Sequence, residues 1–132
     1  MIKGFNHIGI AVKDLEKAMV FFSETYGVRL IKRDRYEDHL FETALVGIGD
    51  VRFELIAGLG SGGFIANFIK DRGQGIHHMS LEVDHFDQVI KDFRAKGLKV
   101  LGETDNADFK AAFIHPQGNF GVLTEIIEPK EG

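Results

Sequence analysis

Histidine and glutamate recur at one spacing in this chain. His7 and Glu54 lie 47 residues apart, and so do His78 and Glu125. Two imidazoles and two carboxylates suit a borderline divalent ion such as Zn, Co, Ni, Mn or Fe, with positions left open for water or substrate. A strand histidine taken alone is more often a hydrogen-bonded structural residue than a ligand. The repetition of both residue types at one spacing is what singles out these four. Carboxylates among apolar side chains are also costly unless they are paired, protonated or bound to metal.

The elements that must carry these residues are themselves repeated. Shifting by 71 residues lays His7-Ile8-Gly9-Ile10-Ala11-Val12 on His78-Met79-Ser80-Leu81-Glu82-Val83. The same shift lays Leu15, Ala18, Met19 and Phe22 on Phe86, Val89, Ile90 and Phe93. Each set runs i, i+3, i+4, i+7, the apolar stripe of an amphipathic helix. Gly27 and Gly97 close the two helices one residue out of register, a residue type suited to a helix C-cap. Val51 to Ile56 then falls on Val122 to Ile127, again at 71.

The pattern predicts strands at 4–12, 28–35, 39–48 and 51–57, with a helix at 14–26. In the second copy it predicts strands at 76–83, 98–103, 109–115 and 121–127, with a helix at 85–96. Each copy is therefore βαβββ. We expect an α+β fold forming one domain over 1–132, with modules at about 1–57 and 76–132. The Gly-rich connector 58–75 contains Phe64 to Ile69, which suggests a short helix. If the first and last strands of a module are neighbours, its His and Glu share a face. Pseudo-twofold pairing of the modules would then gather His7, Glu54, His78 and Glu125. His77 is a rival, but side chains alternate across a strand and the repeat register selects His78. His39, His85 and His115 lack such support and read as surface or turn residues.

Composition narrows the function classes. Hydrophobic residues make up 44% and charged residues 27%, as in an ordinary globular protein with a real core. Twelve Phe and no Trp predict a core rich in Phe. The net charge of −4 and the lack of a basic stripe give no support for nucleic-acid binding. The absence of Cys excludes disulfides, thiolate catalysis and Cys-ligated zinc. No apolar run nears the roughly 20 residues of a membrane span, and residues 1–5 lack a signal-peptide apolar region. These features fit a cytoplasmic protein with no membrane partner.

On these residues the chain resembles the vicinal oxygen chelate superfamily, which groups glyoxalases, bleomycin-resistance proteins and dioxygenases. Within it the likeness runs to the methylmalonyl-CoA epimerase group. It is carried by His7 to Val12 with Asp14-Leu15-Glu16-Lys17-Ala18, Arg52 to Leu55, Gly75-Ile76-His77-His78-Met79, Glu82-Val83-Asp84, Phe113-Ile114-His115-Pro116 and Gly121 to Glu125. The resemblance implies paired βαβββ modules forming a mixed-sheet, metal-holding cup, with the metal chelating two neighbouring oxygens of a substrate. By position it implies His7, Glu54, His78 and Glu125 as ligands of a divalent ion. It further implies Glu42 and Glu125 as acid–base residues for α-proton transfer, an acyl-CoA substrate and a homodimer. Lys70, Arg72 and Lys110 are candidates for holding its phosphates. Relatives often carry Leu-Gly-x-Asp-Ser-Pro where Leu59-Gly60-Ser61-Gly62-Gly63 stands here. Thr104 to Lys110 also departs from the usual Gly-rich loop and adds Asp105 and Asp108. Two other readings remain open. One is a glyoxalase I-like lactoylglutathione lyase or another enzyme of the superfamily. The other is a metal-free small-molecule binder of the resistance type.

Overall fold

The computed structural model describes residues 1–131. Strand β1 (Ile2–Ala11) leads to helix α1 (Leu15–Tyr26), and strands β2 (Arg29–Tyr36), β3 (Phe41–Ile48) and β4 (Val51–Gly58) follow. Helix α2 (Gly63–Arg72) connects to β5 (Gly75–Val83), α3 (Phe86–Ala95), β6 (Val100–Asp105), β7 (Phe109–Ile114) and β8 (Thr124–Pro129). Strands hydrogen-bond in the order β2-β3-β4-β1-β5-β8-β7-β6. The pairs β1/β4 and β5/β8 are parallel, while β2/β3, β3/β4, β6/β7 and β7/β8 are antiparallel. This is the expected α+β mixed sheet built from two βαβββ runs.

Two compact units are present, residues 7–77 and residues 1–6 with 78 onward. Their border differs from that of the sequence repeat. The first residues of β1 belong with the second copy, and α2 belongs with the first.

In unit 7–77, α1 starts where the Asp14 carboxylate accepts from the Lys17 N–H at 3.0 Å, a side-chain cap on an orphan backbone donor. It stops at Gly27, whose φ of 70° few other residues tolerate. Ala18, Met19 and Phe22 of α1 cover Ala44, Val46, Leu55 and Ala57 on one face of the strands. On the other face Ile65, Phe68 and Ile69 of α2 cover Ala11, Ile56 and Phe41. Alternation along β3 and β4 sorts their side chains between these two layers. In the second unit, α3 lays Phe86, Val89, Ile90 and Phe93 on Ala112, Ile114 and Ile126. The Glu128 carboxylate accepts from the Phe86 N–H at 3.0 Å at the start of that helix.

Three expected boundaries move. A 3-10 turn at Glu37–His39 precedes β3, and Leu40 sits left-handed at φ 61°. β6 spans Val100–Asp105 instead of 98–103. β8 begins at Thr124 instead of 121, because Phe120 and Gly121 both have positive φ. There the Pro116 carbonyl accepts from the Asn119 and Gly121 N–H groups, which holds the chain in a turn.

Candidate active site

In unit 7–77 the site begins with a parallel strand pair. Gly9 of β1 lies opposite Glu54 of β4, so His7 and Glu54 fall on one face. His7 Nε2 stands 3.7 Å from Glu54 Oε1. The histidine is 4% exposed. Burial, and secondarily the Arg52 guanidinium, lower its pKa to about 4. The imidazole is therefore neutral near pH 7, the form in which a histidine ligates a metal. Gly9 puts no side chain over this pair. From β3 the same face receives Phe41, Thr43 and Leu45, paired with Gly58, Ile56 and Glu54.

Glu42 lies apart from this pair. It pairs with Ala57 in a β3/β4 register without a bulge, so it points to the α1 layer with Ala44 and Val46. Its Oε1 lies 3.5 Å from Arg33, which also pairs with Glu16 of α1. Glu42 is thus part of a charged rim on the face opposite His7 and Glu54.

The second unit repeats the strand geometry. Ser80 of β5 lies opposite Glu125 of β8, which also pairs with Phe113 of β7. The pairs Gly9/Glu54 and Ser80/Glu125 keep the 71-residue shift read from the sequence. Alternation puts His78 on the face of Ser80, Glu125 and Phe113. His78 is 4% exposed, and its ring meets Phe113 edge-on at 5.5 Å. The Ser80 hydroxyl donates to Glu125 Oε1 at 2.8 Å. Burial raises the Glu125 pKa to about 7, against the opposing effect of that hydrogen bond. A carboxyl held near-neutral by burial is one that a cation would strongly favour in its charged form. A neutral imidazole at His7, a second buried histidine and two carboxyls are a donor set that fits a borderline divalent ion chemically.

Strand alternation sends His77 to the face opposite His78. Its ring contacts Phe64 and Phe68 of α2 at 5.7 and 4.8 Å. Burial among these rings lowers its pKa to about 4. The unfolded chain therefore takes up a proton at His77 between about pH 6.5 and 4 that the folded chain refuses, so stability falls as pH drops through that window. His77→Phe should remove the His77 share of the pH dependence in metal-free protein, at most about 3 kcal/mol, and leave the shares of His7 and Glu125 in place. Urea unfolding across the window measures it, and parallel curves for variant and parent would refute it.

The remaining candidates lie elsewhere. His39 is exposed beside Phe41, and His85 is exposed at the left-handed start of α3. His115 Nδ1 accepts from the Gln117 N–H at 2.9 Å within a turn. Lys110 pairs with Asp87 of α3 at 3.1 Å, on the helix side of its strand. Arg72 lies over the Phe68 ring at 6.0 Å and Lys70 is exposed. Two site-face residues escaped the sequence reading, Thr43 and Ser80. Counting i+2 from His78 would have found Ser80.

Tandem βαβββ runs with a His and a Glu on equivalent strands define a class of protein. The chain belongs to the Glyoxalase/Bleomycin resistance protein/Dioxygenase superfamily, whose profile matches residues 6–114. More particularly, it is 32% identical over 131 residues to an ethylmalonyl-CoA/methylmalonyl-CoA epimerase of Cereibacter sphaeroides, covering 96% of this chain and 98% of that one. It is also 32% identical to the mitochondrial methylmalonyl-CoA epimerase of Bos taurus, covering 92% of this chain and 71% of that one. The crystal structure of methylmalonyl-CoA epimerase from Mycobacterium tuberculosis superposes with a TM-score of 0.90 at 28% identity, over 98% of this chain and 90% of that one. Among the described residues no helix is long and apolar enough to cross a membrane.

Proposed function

We propose that His7, Glu54 and His78, whose ligand atoms lie within 4.8 Å of one another, hold one divalent ion together with Glu125, and that the protein epimerises a 2-carboxyacyl-CoA of the methylmalonyl type. The observation that carries this reading is the shared register of Gly9/Glu54 and Ser80/Glu125, which sets a His and a Glu equivalently in both modules. The relatives support the class of reaction, since they are epimerases of 2-carboxyacyl-CoA esters. The same reading includes a homodimeric, cytoplasmic enzyme.

When bound, the ion supplies Lewis acidity toward oxygens of the acyl group, which favours the enolate over the neutral thioester. The protein's own groups do the rest. His7 enters as a neutral donor because burial keeps its proton away. Glu125 is the base, and its carboxylate accepts the C2 proton. Burial raises its basicity toward neutral pH, where proton transfer is most efficient. The Ser80 hydroxyl donates to one Glu125 oxygen and so helps to orient the carboxylate. Inversion is complete when a proton returns on the other face, and solvent label at C2 reports that return.

The test couples metal analysis to isotope exchange. Purified protein should contain close to one divalent ion per chain and speed deuterium uptake at C2 of methylmalonyl-CoA. Chelation should stop exchange and re-addition of metal should restore it. Exchange no faster than without protein sinks the epimerase reading. Absence of bound metal, with no response to added metal, sinks the metalloenzyme and favours a small-molecule binder.

A further inference from the structure

Among the described residues three hydroxyl-bearing residues are buried, Thr43, Ser80 and Thr124. Two of them have clear duties. Ser80 donates to Glu125 at 2.8 Å, and Thr124 donates to the Val122 carbonyl and accepts from Asn119. Thr43 is 5% exposed, yet among the described residues no group hydrogen-bonds its hydroxyl. Among the described residues the only fully buried side-chain polar atom without a partner is Asp84 Oδ1, so the Thr43 oxygen is open to a hydrogen bond from water or a ligand.

The direction of Thr43 says which partner it awaits. It lies opposite Ile56 of β4 and diagonal to Glu54, on the face that carries His7. Its neighbours along β3 on this face are Phe41 and Leu45, neither of which offers a polar atom. Phe41 in turn stacks on Tyr36 at 4.7 Å and meets Phe64 edge-on at 5.1 Å. The hydroxyl is therefore the polar group that β3 presents between an aromatic wall and the His7/Glu54 pair. The adjacent acid, Glu42, is turned the other way.

We infer that the Thr43 hydroxyl is a substrate-binding group of this site, donating a hydrogen bond to an oxygen of the bound 2-carboxyacyl thioester. The inference rests on the proposed epimerase function and adds to it a residue that sets the acyl group's orientation. A single O–H donor fits a carboxylate or thioester oxygen and gives nothing to a plain alkyl group in that place. Thr43 thus favours 2-carboxyacyl over simple acyl thioesters.

Thr43→Val keeps the shape of the side chain and removes the donor, while Thr43→Ser keeps the donor. Three readouts are needed, the kinetics of C2 deuterium exchange on methylmalonyl-CoA, the Kd of 2-nitronate-propionyl-CoA, and bound metal with Tm. For Thr43→Val we expect kcat/KM to fall 10- to 100-fold and the nitronate Kd to rise similarly, with metal content and Tm held. Thr43→Ser should stay within about threefold of the parent on both counts. A valine variant within twofold of the parent overturns the inference. So does a serine variant as weak as valine, because the methyl group would then be what matters. If the parent itself neither exchanges C2 deuterium nor binds the nitronate, the epimerase reading fails instead, and the two failures are told apart by the parent alone.

Discussion

His7→Ala should lose its bound metal and about a thousandfold or more of kcat/KM for C2 exchange. The reason lies in what burial has done to this side chain. His7 is 4% exposed and keeps no proton above about pH 4. At neutral pH it is a ready donor that needs no deprotonation before ligating, unlike an exposed histidine near pH 6.5. Removing it takes away one of two nitrogen donors and leaves Glu54 with one fewer partner at 3.7 Å. Lewis-acid stabilisation of a developing enolate is worth several kcal/mol. At about 1.4 kcal/mol per tenfold, three orders of magnitude follow. Elemental analysis and deuterium exchange on the same sample decide the matter. A variant that retains stoichiometric metal would remove His7 from the ligand set.

Glu125→Gln should change both the rate and the pH dependence of metal binding. Without metal, the parent's Glu125 carboxyl is protonated below about pH 7. Each unit of pH below that value should weaken apparent metal affinity about tenfold, because a proton must leave as the ion enters. His7 contributes to this slope only near pH 4, where it begins to take a proton. Glutamine cannot titrate, so the slope between about pH 5 and 7 should flatten in the variant. Loss of a general base also removes a factor of roughly 10²–10⁴ in kcat. Calorimetric titrations in buffers of different ionisation enthalpy count the released proton directly. If parent and variant release the same number at pH 6, Glu125 is not the group that the metal displaces a proton from.

Some of this was readable from residue order, for reasons that particular residues make plain. The parallel pairs β1/β4 and β5/β8 keep the 71-residue shift, because each is pinned by a core of alternating Val, Ile and Leu. The third strands do not keep it. Leu45 stands opposite Glu54, whereas Phe113, 68 residues later, stands opposite Glu125. Nothing in the hydrophobic pattern marks that three-residue difference, which is absorbed in the turns and bulges of the middle strands. The face on which Glu42 falls was hidden for a related reason. A strand presents opposite faces at successive residues, so an error of one reverses the reading. The phase of β3 is set by left-handed Leu40 and the 3-10 turn before it, a local geometry that a leucine does not advertise. Thr43 was overlooked because threonine is common in strands, and only its lack of a partner distinguishes it. His78 was separable from His77 by repeat register alone. The rings of Phe64 and Phe68 against His77 come from α2, which no spacing in the sequence ties to that histidine.

The division of β1 between the two compact units has a consequence for how the protein is made. Residues 1–6 group with residues 78 onward, and the Met1 carbonyl accepts from the Asp84 N–H, 83 positions downstream. Such distant contacts are slow to form. On the ribosome residues 1–6 emerge before the residues they group with and are among the last of these to find their place. They must wait until the partner strand has been synthesised, several seconds at bacterial or slower rates of about 5–20 residues per second. Unit 7–77, whose strand pairs close within shorter loops, can assemble in the meantime. The order of translation and the order of completion are therefore reversed for the first six residues.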